Sequence, residues 1–94
     1  MRIGWHPNAL DDIRGIEAFI EWDNPPAAQA METRIRAVVE ILAEHPNLGR
    51  PGRVSGTREL IVAGTPYLVA YAVLGDEVRI LAVLHTAQKW PEAF

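Results

Sequence analysis

The chain has 94 residues, of which 49% are hydrophobic and 22% charged, a composition typical of a folded domain rather than a disordered segment. Because the sequence contains no cysteine, disulfide bonds and thiolate metal sites are excluded. The formal net charge of -3 argues against a protein that binds nucleic-acid backbone over its whole surface. A chain of this length is expected to form one domain, over residues 1–94. We expect it in the cytoplasm, since the sequence shows neither a signal peptide nor an apolar run long enough for a membrane span.

The charge is divided unevenly along the chain. Residues 1–48 carry four basic and eight acidic residues, a balance of -4, whereas residues 49–94 carry five basic and four acidic ones, a balance of +1. The stretch GRPGRVSGTREL, residues 49–60, holds three arginines with no acidic residue before Glu59. We therefore expect a local cationic surface on an otherwise acidic protein.

A short strand and a helix are predicted at the start of the chain. MRIGW alternates weakly between apolar and polar residues and ends before Pro7, as a short strand does. In the helix that follows, Asn8 and Asp11 resemble a capping box with Asp in the place of Glu or Gln. The apolar residues of this helix recur at helical spacing, and they are Leu10, Ile13, Ile16, Phe19 and Ile20.

A second helix is predicted to follow almost directly. Asn24 can cap it, and Pro25 is acceptable at its first position. It must end near His45, because Pro46 cannot continue a helix. So few residues separate the two helices that we expect them to form an antiparallel hairpin.

Three strand-like runs follow a loop over residues 46–56 that is rich in Gly and Pro. They are RELIV (58–62), PYLVAYAVL (66–74) and EVRILAVLH (77–85), and the Gly75–Asp76 pair between the last two indicates a β-hairpin. Their continuous apolar runs indicate strands covered on both faces, or nearly so. The order β-α-α-β-β-β predicts an α+β domain in which a helical hairpin lies on one face of an antiparallel sheet.

Two interpretations of the arginine-containing loop stay open. Arg50, Arg53 and Arg58 could form a receptor for phosphate or carboxylate, because guanidinium groups offer planar, bidentate donors. Alternatively, the loop is a solvated connection whose arginines pair with the nearby acidic helices. Gly49, Pro51, Gly52 and Gly56 favour a functional conformation, since they allow sharp turns that a plain linker does not need.

His85 ends the last predicted strand and is the histidine with the strongest functional claim. Regular alternation would place it on one face with Val83, Leu81 and Arg79. It could act as a general acid or base near neutral pH, or it could be a structural residue at the sheet edge. The three histidines show no spacing typical of metal ligands, so we expect neither a metal nor another cofactor.

Three aromatic residues of the second half have alternative roles. Tyr67 and Tyr71 are predicted on one face of a strand, where packing is the ordinary role and stacking on a nucleic-acid base the alternative. Trp90, near the C-terminus, either attaches the tail to the core or offers an anchor for a partner.

The ordered series of motifs resembles the RelE/ParE superfamily of toxins. The series comprises a first strand, a helical hairpin with NPPAA at its bend, GRPGRV, GTREL, TPYLVAYAV and ILAVLHTAQKWP, and it runs from Trp5 to Pro91. The resemblance implies the RelE/ParE-like α+β fold, with a three-stranded antiparallel meander completing one sheet. It also implies the toxin half of a type II toxin–antitoxin module, which a cognate antitoxin neutralises within a hetero-oligomer.

The superfamily has two branches with different chemistry. ParE-like members inhibit DNA gyrase by binding it, and the series here is most similar to that branch, so an enzyme is not expected. RelE-like members are metal-independent endoribonucleases that cleave mRNA on the ribosome. Under that alternative Arg53, Arg58, Glu59 and His85 are the candidate catalytic residues, although the lysine cluster of that branch is missing.

Under the ParE-like interpretation the cationic loop is a binding surface. The resemblance implies an antitoxin with an acidic, partly disordered segment that folds on binding. Arg50, Arg53, Arg58 and Trp90 are then the candidate residues for contacting the antitoxin or the target.

Overall fold

The computed structural model describes residues 1–87 and shows two helices against one five-stranded sheet. The sheet is open, and its strand order is β1-β5-β4-β3-β2. The elements are β1 (Arg2–Trp5), α1 (Pro7–Glu21), α2 (Pro25–Glu44), β2 (Arg50–Pro51), β3 (Arg58–Ile61), β4 (Tyr67–Leu74) and β5 (Glu77–His85). The predicted α+β fold is confirmed, including the β4–β5 hairpin, whose turn contains Gly75 at a φ of 60°.

Two features of the sheet differ from the prediction. β1 pairs with β5 in parallel, so the sheet is mixed, whereas a purely antiparallel sheet was expected. The predicted loop 46–56 contains the two-residue strand β2, in which Arg50 pairs with Glu59 and Pro51 with Arg58. So short a strand has no periodicity to detect, and Pro51 is tolerated because β2 is an edge strand.

The main core lies between the helices and the sheet. It is built from buried residues of α1, α2, β4 and β5, together with Val62, and its largest fully buried members include Tyr71, Ile13, Ile35, Leu42 and Ile80. A second, smaller cluster on the opposite face of the sheet comprises Leu68, Ala70, Ala82 and Leu84, each at most 5% exposed. Burial on both faces explains why β4 has an unbroken apolar run, as predicted.

The helix starts confirm one predicted cap and correct the other. Asn24 caps α2, because its side-chain oxygen accepts a hydrogen bond from the Ala27 N–H at 3.2 Å. α1 begins at Pro7, and its N-cap is His6, whose Nδ1 accepts from the Asn8 N–H at 3.1 Å. The predicted capping box of Asn8 and Asp11 is therefore wrong, since proline at the first helical position moves the start one residue earlier.

A β-bulge in β5 changes which side chains share a face. Ala70 pairs with Ala82 but Tyr71 pairs with Ile80, so Leu81 is an extra residue. As a result His85 lies on the helix-facing side of the sheet and Arg79 lies on the other. The predicted common face of His85 and Arg79 is therefore wrong, because regular alternation does not hold across a bulge.

Phe19 is a further correction. Its spacing predicts a place in the apolar stripe of α1, yet the residue is 78% exposed. At 3.6 residues per turn Phe19 lies about 100° around the helix from Ile20 and about 120° from Ile13, away from the face that contacts the sheet. Phe19 therefore has the helical spacing of the apolar residues, but its side chain does not point toward the core.

Asp12 joins α1 to the sheet at the point where β1 ends. Thr86 donates its N–H to Pro66, and the alternation of antiparallel pairs then points the Val83 N–H away from β4. β1 ends at Trp5, so no strand residue is opposite this donor, and the Asp12 carboxylate accepts it at 2.9 Å. Burial raises the pKa of Asp12, and the hydrogen bond from Val83 opposes this effect.

Asp12→Ala should destabilise the fold by about 1–3 kcal/mol, because the Val83 N–H loses its acceptor. Asp12→Asn keeps an acceptor oxygen and removes the titrating group. Since the folded-state pKa is raised above its ordinary value of 3.8, the native protein holds this proton more tightly than the unfolded chain. The wild type should therefore lose stability relative to Asp12→Asn as pH rises from about 4 through the folded-state pKa.

Urea denaturation of the three proteins across this pH range measures both effects. An alanine variant as stable as the wild type would contradict the role of the hydrogen bond. A stability difference between wild type and Asp12→Asn that does not change with pH would contradict the effect of burial.

Candidate functional site

The cationic loop, here called the arginine loop (residues 46–58), connects α2 to the first residue of β3. It is held against the sheet by three side chains, Glu59, Tyr71 and Arg58. Each of them belongs to a strand. Tyr71 and Arg58 both contact the backbone of Gly49, and Glu59 contacts Arg50 and Arg53. The conformation of the loop is therefore set by the sheet beneath it.

Glu59 is the acidic partner that the arginine loop requires. It is a buried charged residue with 3% exposure, and it lies opposite Arg50 in the β2–β3 pair. Arg50 donates from Nη2 to its Oε1 at 3.2 Å, and the backbone N–H of Arg53 donates to its Oε2 at 2.9 Å. A buried carboxylate needs such partners, because an unpaired charge in the interior is costly.

Tyr71 of β4 fixes the start of the arginine loop through two hydrogen bonds. Its hydroxyl donates to the carbonyl of Pro46 at 2.8 Å and accepts from the N–H of Gly49 at 2.8 Å. Burial raises the pKa of Tyr71 above its ordinary value, although the Gly49 hydrogen bond and the charge of Arg58 act in the opposite direction. A Cβ at position 49 would lie 2.6 Å from the hydroxyl oxygen, so this close approach requires glycine.

Arg58 also serves the loop backbone. Its Nη1 donates to the carbonyl of Gly49 at 2.7 Å and, at 3.4 Å, to that of Asn47. The three arginines therefore differ in their surroundings. Arg58 is partly buried and holds carbonyls, Arg50 is 59% exposed along its side chain and pairs with Glu59, and Arg53 has an exposed side chain.

The structure does not bring His85 close to the arginine loop. His85 pairs with Tyr67 and Arg58 with Tyr71, so the two lie on one face but four residues and two strands apart, about 16 Å between backbones. The Nδ1 of His85 accepts from the Ala87 N–H at 3.0 Å, and its ring meets that of Tyr67 edge-on at 5.4 Å. Glu59 neighbours Arg58 along β3 and so points to the opposite face.

The two tyrosines of β4 belong to the core of the domain. Tyr67 and Tyr71 are both buried in the main core, which agrees with the packing interpretation rather than base stacking. Trp90 lies outside the described residues. Within residues 1–87, no three His, Asp or Glu side chains are grouped in a way that could hold a metal ion. Neither helix in that range is both long and apolar enough to cross a membrane.

Sequence reasoning missed the central role of Tyr71 and the partnership of Glu59 with the loop. From the sequence, Glu59 is the acidic residue that follows the arginines and a candidate catalytic residue of the endoribonuclease alternative, and neither interpretation predicts that it holds the loop. The contacts themselves join residues up to 25 positions apart, between Tyr71 and Pro46, and no local pattern predicts them.

Comparison with known proteins decides the family. A family model described as "ParE toxin of type II toxin-antitoxin system, parDE" matches residues 3–90. The chain belongs to the ParE toxin family. It is thus a toxin of the type II toxin–antitoxin class, as the series of motifs implied.

Individual relatives of this ParE-family chain are also named as toxins. A Sinorhizobium fredii protein named "Putative toxin Y4kP" is 46% identical over 91 residues, which cover 97% of this chain and 94% of that protein. "Toxin RelE2" of Caulobacter vibrioides is 34% identical over 87 residues, 93% of this chain and 97% of that protein.

A solved structure described as "Chromosomal ParDE TA system from P. aeruginosa" matches with a TM-score of 0.83 and 26% identity. The match covers 90% of this chain and 95% of that one. The ParE-family fold therefore implies an antitoxin partner.

Tyr71→Phe should loosen the arginine loop. The substitution leaves the Pro46 carbonyl without its donor and the Gly49 N–H without its acceptor, which we expect to lower the free energy of unfolding by about 1–3 kcal/mol. The matched control is Tyr67→Phe, because within residues 1–87 the Tyr67 hydroxyl makes no hydrogen bond, and a clearly smaller loss is expected there. Chemical denaturation gives both values, and amide exchange at Gly49 localises the effect. Equal losses in the two variants would contradict the role given to the Tyr71 hydroxyl.

Proposed function

We propose that this ParE-family toxin acts by binding DNA gyrase and inhibiting it, and that a cognate antitoxin neutralises it by direct contact in a hetero-oligomer. Family membership supports the toxin class. The choice of binding over catalysis is supported by the arrangement of the side chains that a nuclease would need.

The observation that carries this choice is the separation of the candidate catalytic groups. Cleavage of RNA through its 2′-hydroxyl needs a base, an acid and a cation within hydrogen-bond reach of one phosphate. Here Arg58 donates to loop carbonyls, His85 lies about 16 Å from it along the sheet, and the buried Glu59 points to the opposite face. In these positions the three residues make structural contacts and do not converge on one site. The geometry therefore supports inhibition by binding better than catalysis.

A second candidate function is a RelE-like, metal-independent endoribonuclease that cleaves mRNA on the ribosome. The observation that favours it is the 34% identity to the relative named "Toxin RelE2". Under this alternative Arg58 and His85, with Arg53 and Glu59, remain the residues to test.

One experiment separates the two functions. The purified toxin is added to gyrase in a supercoiling assay and, separately, to ribosomes translating a defined mRNA, together with a His85→Ala variant. We expect loss of supercoiling by both proteins and intact mRNA. Full gyrase activity at saturating toxin would overturn the first proposal, and cleavage of the mRNA by the wild type but not by His85→Ala would establish the alternative.

The arginine loop is the part of the molecule best suited to an acidic antitoxin segment. Arg50 and Arg53 have exposed side chains on a chain whose overall charge is negative, which gives an acidic ligand a localised place of attraction. Arg58 contributes by holding the carbonyls of Gly49 and Asn47, which fixes the loop that carries the other two arginines.

Removing Arg50 alone would leave the buried carboxylate of Glu59 without its arginine partner. The test therefore uses variants in which the negative charge of Glu59 is also removed. Glu59→Gln can still accept the Arg53 N–H, and it is the reference protein. Adding Arg50→Ala and Arg53→Ala to it should weaken antitoxin binding roughly 2- to 30-fold, since exposed ion pairs contribute up to about 1 kcal/mol each.

The effect should be largest at low salt, where exposed charges are least screened. Arg14→Ala in the same background is the control, because Arg14 is an exposed arginine of α1 that lies outside the loop. Titration calorimetry at two salt concentrations measures the affinities. Unchanged affinity of the double substitution at low salt would remove the arginine loop from the antitoxin interface.

A further inference from the structure

The turn between the two helices exposes two large aromatic side chains. We call residues 18–24 the hairpin tip. Phe19 is 78% exposed and Trp22 is 93% exposed, whereas the other exposed large apolar residues of the described chain lie between 37% and 54%. The tip borders an open depression of about 680 Å³, lined by Ala18, Phe19, Ile20, Trp22, Asp23 and Asn24.

These aromatics are not needed by the core. The buried contacts of α1 are made by Ala9 and Ile13, with Ile16 packed beside them, and Trp22 follows the last helical residue as the C-cap. Contiguous apolar surface with no structural role marks interaction sites on soluble proteins. Tryptophan in particular is enriched among the few residues that carry most of the binding energy in protein interfaces.

The chain segment that contains the tip is acidic. Residues 15–33 contain Glu17, Glu21, Asp23 and Glu32 and neither lysine nor arginine. Glu21 and Asp23 are both exposed and directly flank Trp22. A partner that covers this surface must offer an apolar groove for the aromatics and positive charge around it, because like charges placed in contact oppose binding.

The tip and the arginine loop lie at opposite ends of one helix. α2 starts directly after the tip and ends just before the loop, and its 20 residues extend over about 30 Å. An acidic segment is attracted to the loop and repelled by the tip, so the two surfaces suit ligands of opposite charge. The partner of the tip is therefore not the acidic segment assigned to the arginine loop.

We propose that the hairpin tip is the surface that docks on the target protein, with Trp22 and Phe19 entering an apolar groove bordered by basic residues. This inference rests on the proposed function, in which the target is DNA gyrase. An enzyme that holds DNA must present basic surface to the phosphates, which is the charge that the tip complements.

The test replaces the aromatics and compares the result with an equivalent change elsewhere. Phe19→Ala combined with Trp22→Ala should weaken the binding of the toxin to immobilised gyrase roughly 30-fold or more, as loss of an interface hot spot does. Ile41→Ala combined with Leu74→Ala is the control, because it also removes two exposed apolar side chains, but away from the tip. The control should change gyrase affinity by less than about threefold, and both variants should bind the antitoxin like the wild type.

A second pair of variants tests the charge. Glu21→Lys combined with Asp23→Lys should weaken gyrase binding most at low salt, whereas Glu40→Lys, an exposed change near the C-terminal end of α2 and away from the tip, should have little effect. Because all of these side chains are exposed, the folds should survive, and thermal melting checks this.

The outcomes distinguish this inference from the function on which it rests. If the wild type does not bind or inhibit gyrase, the proposed function fails, and the target named here fails with it. If the wild type inhibits gyrase and the Phe19/Trp22 variant inhibits equally well, only the docking surface is wrong. Loss of antitoxin affinity in that variant, or its conversion of a self-associating toxin into a monomer, would instead assign the tip to the antitoxin or to a second copy of the chain.

Discussion

The pairing of β4 decides where every candidate side chain of this toxin lies. β4 pairs along its whole length with β5 and along half of it with β3, and it is buried on both faces over its first six residues. The extra residue Leu81 in β5 turns His85 toward the helices and Arg79 away from them. The distance between His85 and Arg58, which separates the two functional interpretations, follows directly from this register.

A strand buried on both faces imposes conditions on the polar groups around it. The Tyr71 hydroxyl, enclosed in the core at 0% exposure, must find partners, and it finds them in the backbone of the arginine loop. Glu59 is buried on the other face and obtains a cation from Arg50 and an N–H from Arg53. The guanidinium group of Arg50 therefore pairs with a buried carboxylate, while the side chains of Arg50 and Arg53 are exposed at the surface. For Arg50 the structural interpretation holds with Glu59 of β3 as the partner, in place of the acidic helices.

Charge is separated along the length of α2. The cationic loop follows its C-terminal end, and the acidic, aromatic hairpin tip precedes its N-terminal end. A small protein of one chain can in this way present two separate surfaces, one suited to an acidic ligand and the other to a basic one. Under the proposed function the antitoxin and the target would contact opposite ends of α2, so a substitution at one surface should leave the affinity of the other unchanged.

The sequence by itself determined the order and type of the main elements, the Asn24 cap, the end of α2 before Pro46 and the membership of the toxin superfamily. These features depend on local periodicity, on proline and glycine, and on motifs read in order, all of which are present in the linear chain. Only the tertiary structure decided the bulge at Leu81, the strand β2, the burial of Glu59 and the exposure of Phe19 and Trp22. Each of these depends on strand register or on burial by residues distant in the sequence. The adjacent sequence carries no signal for them, because the identity of an apolar or charged residue does not say whether another element covers it.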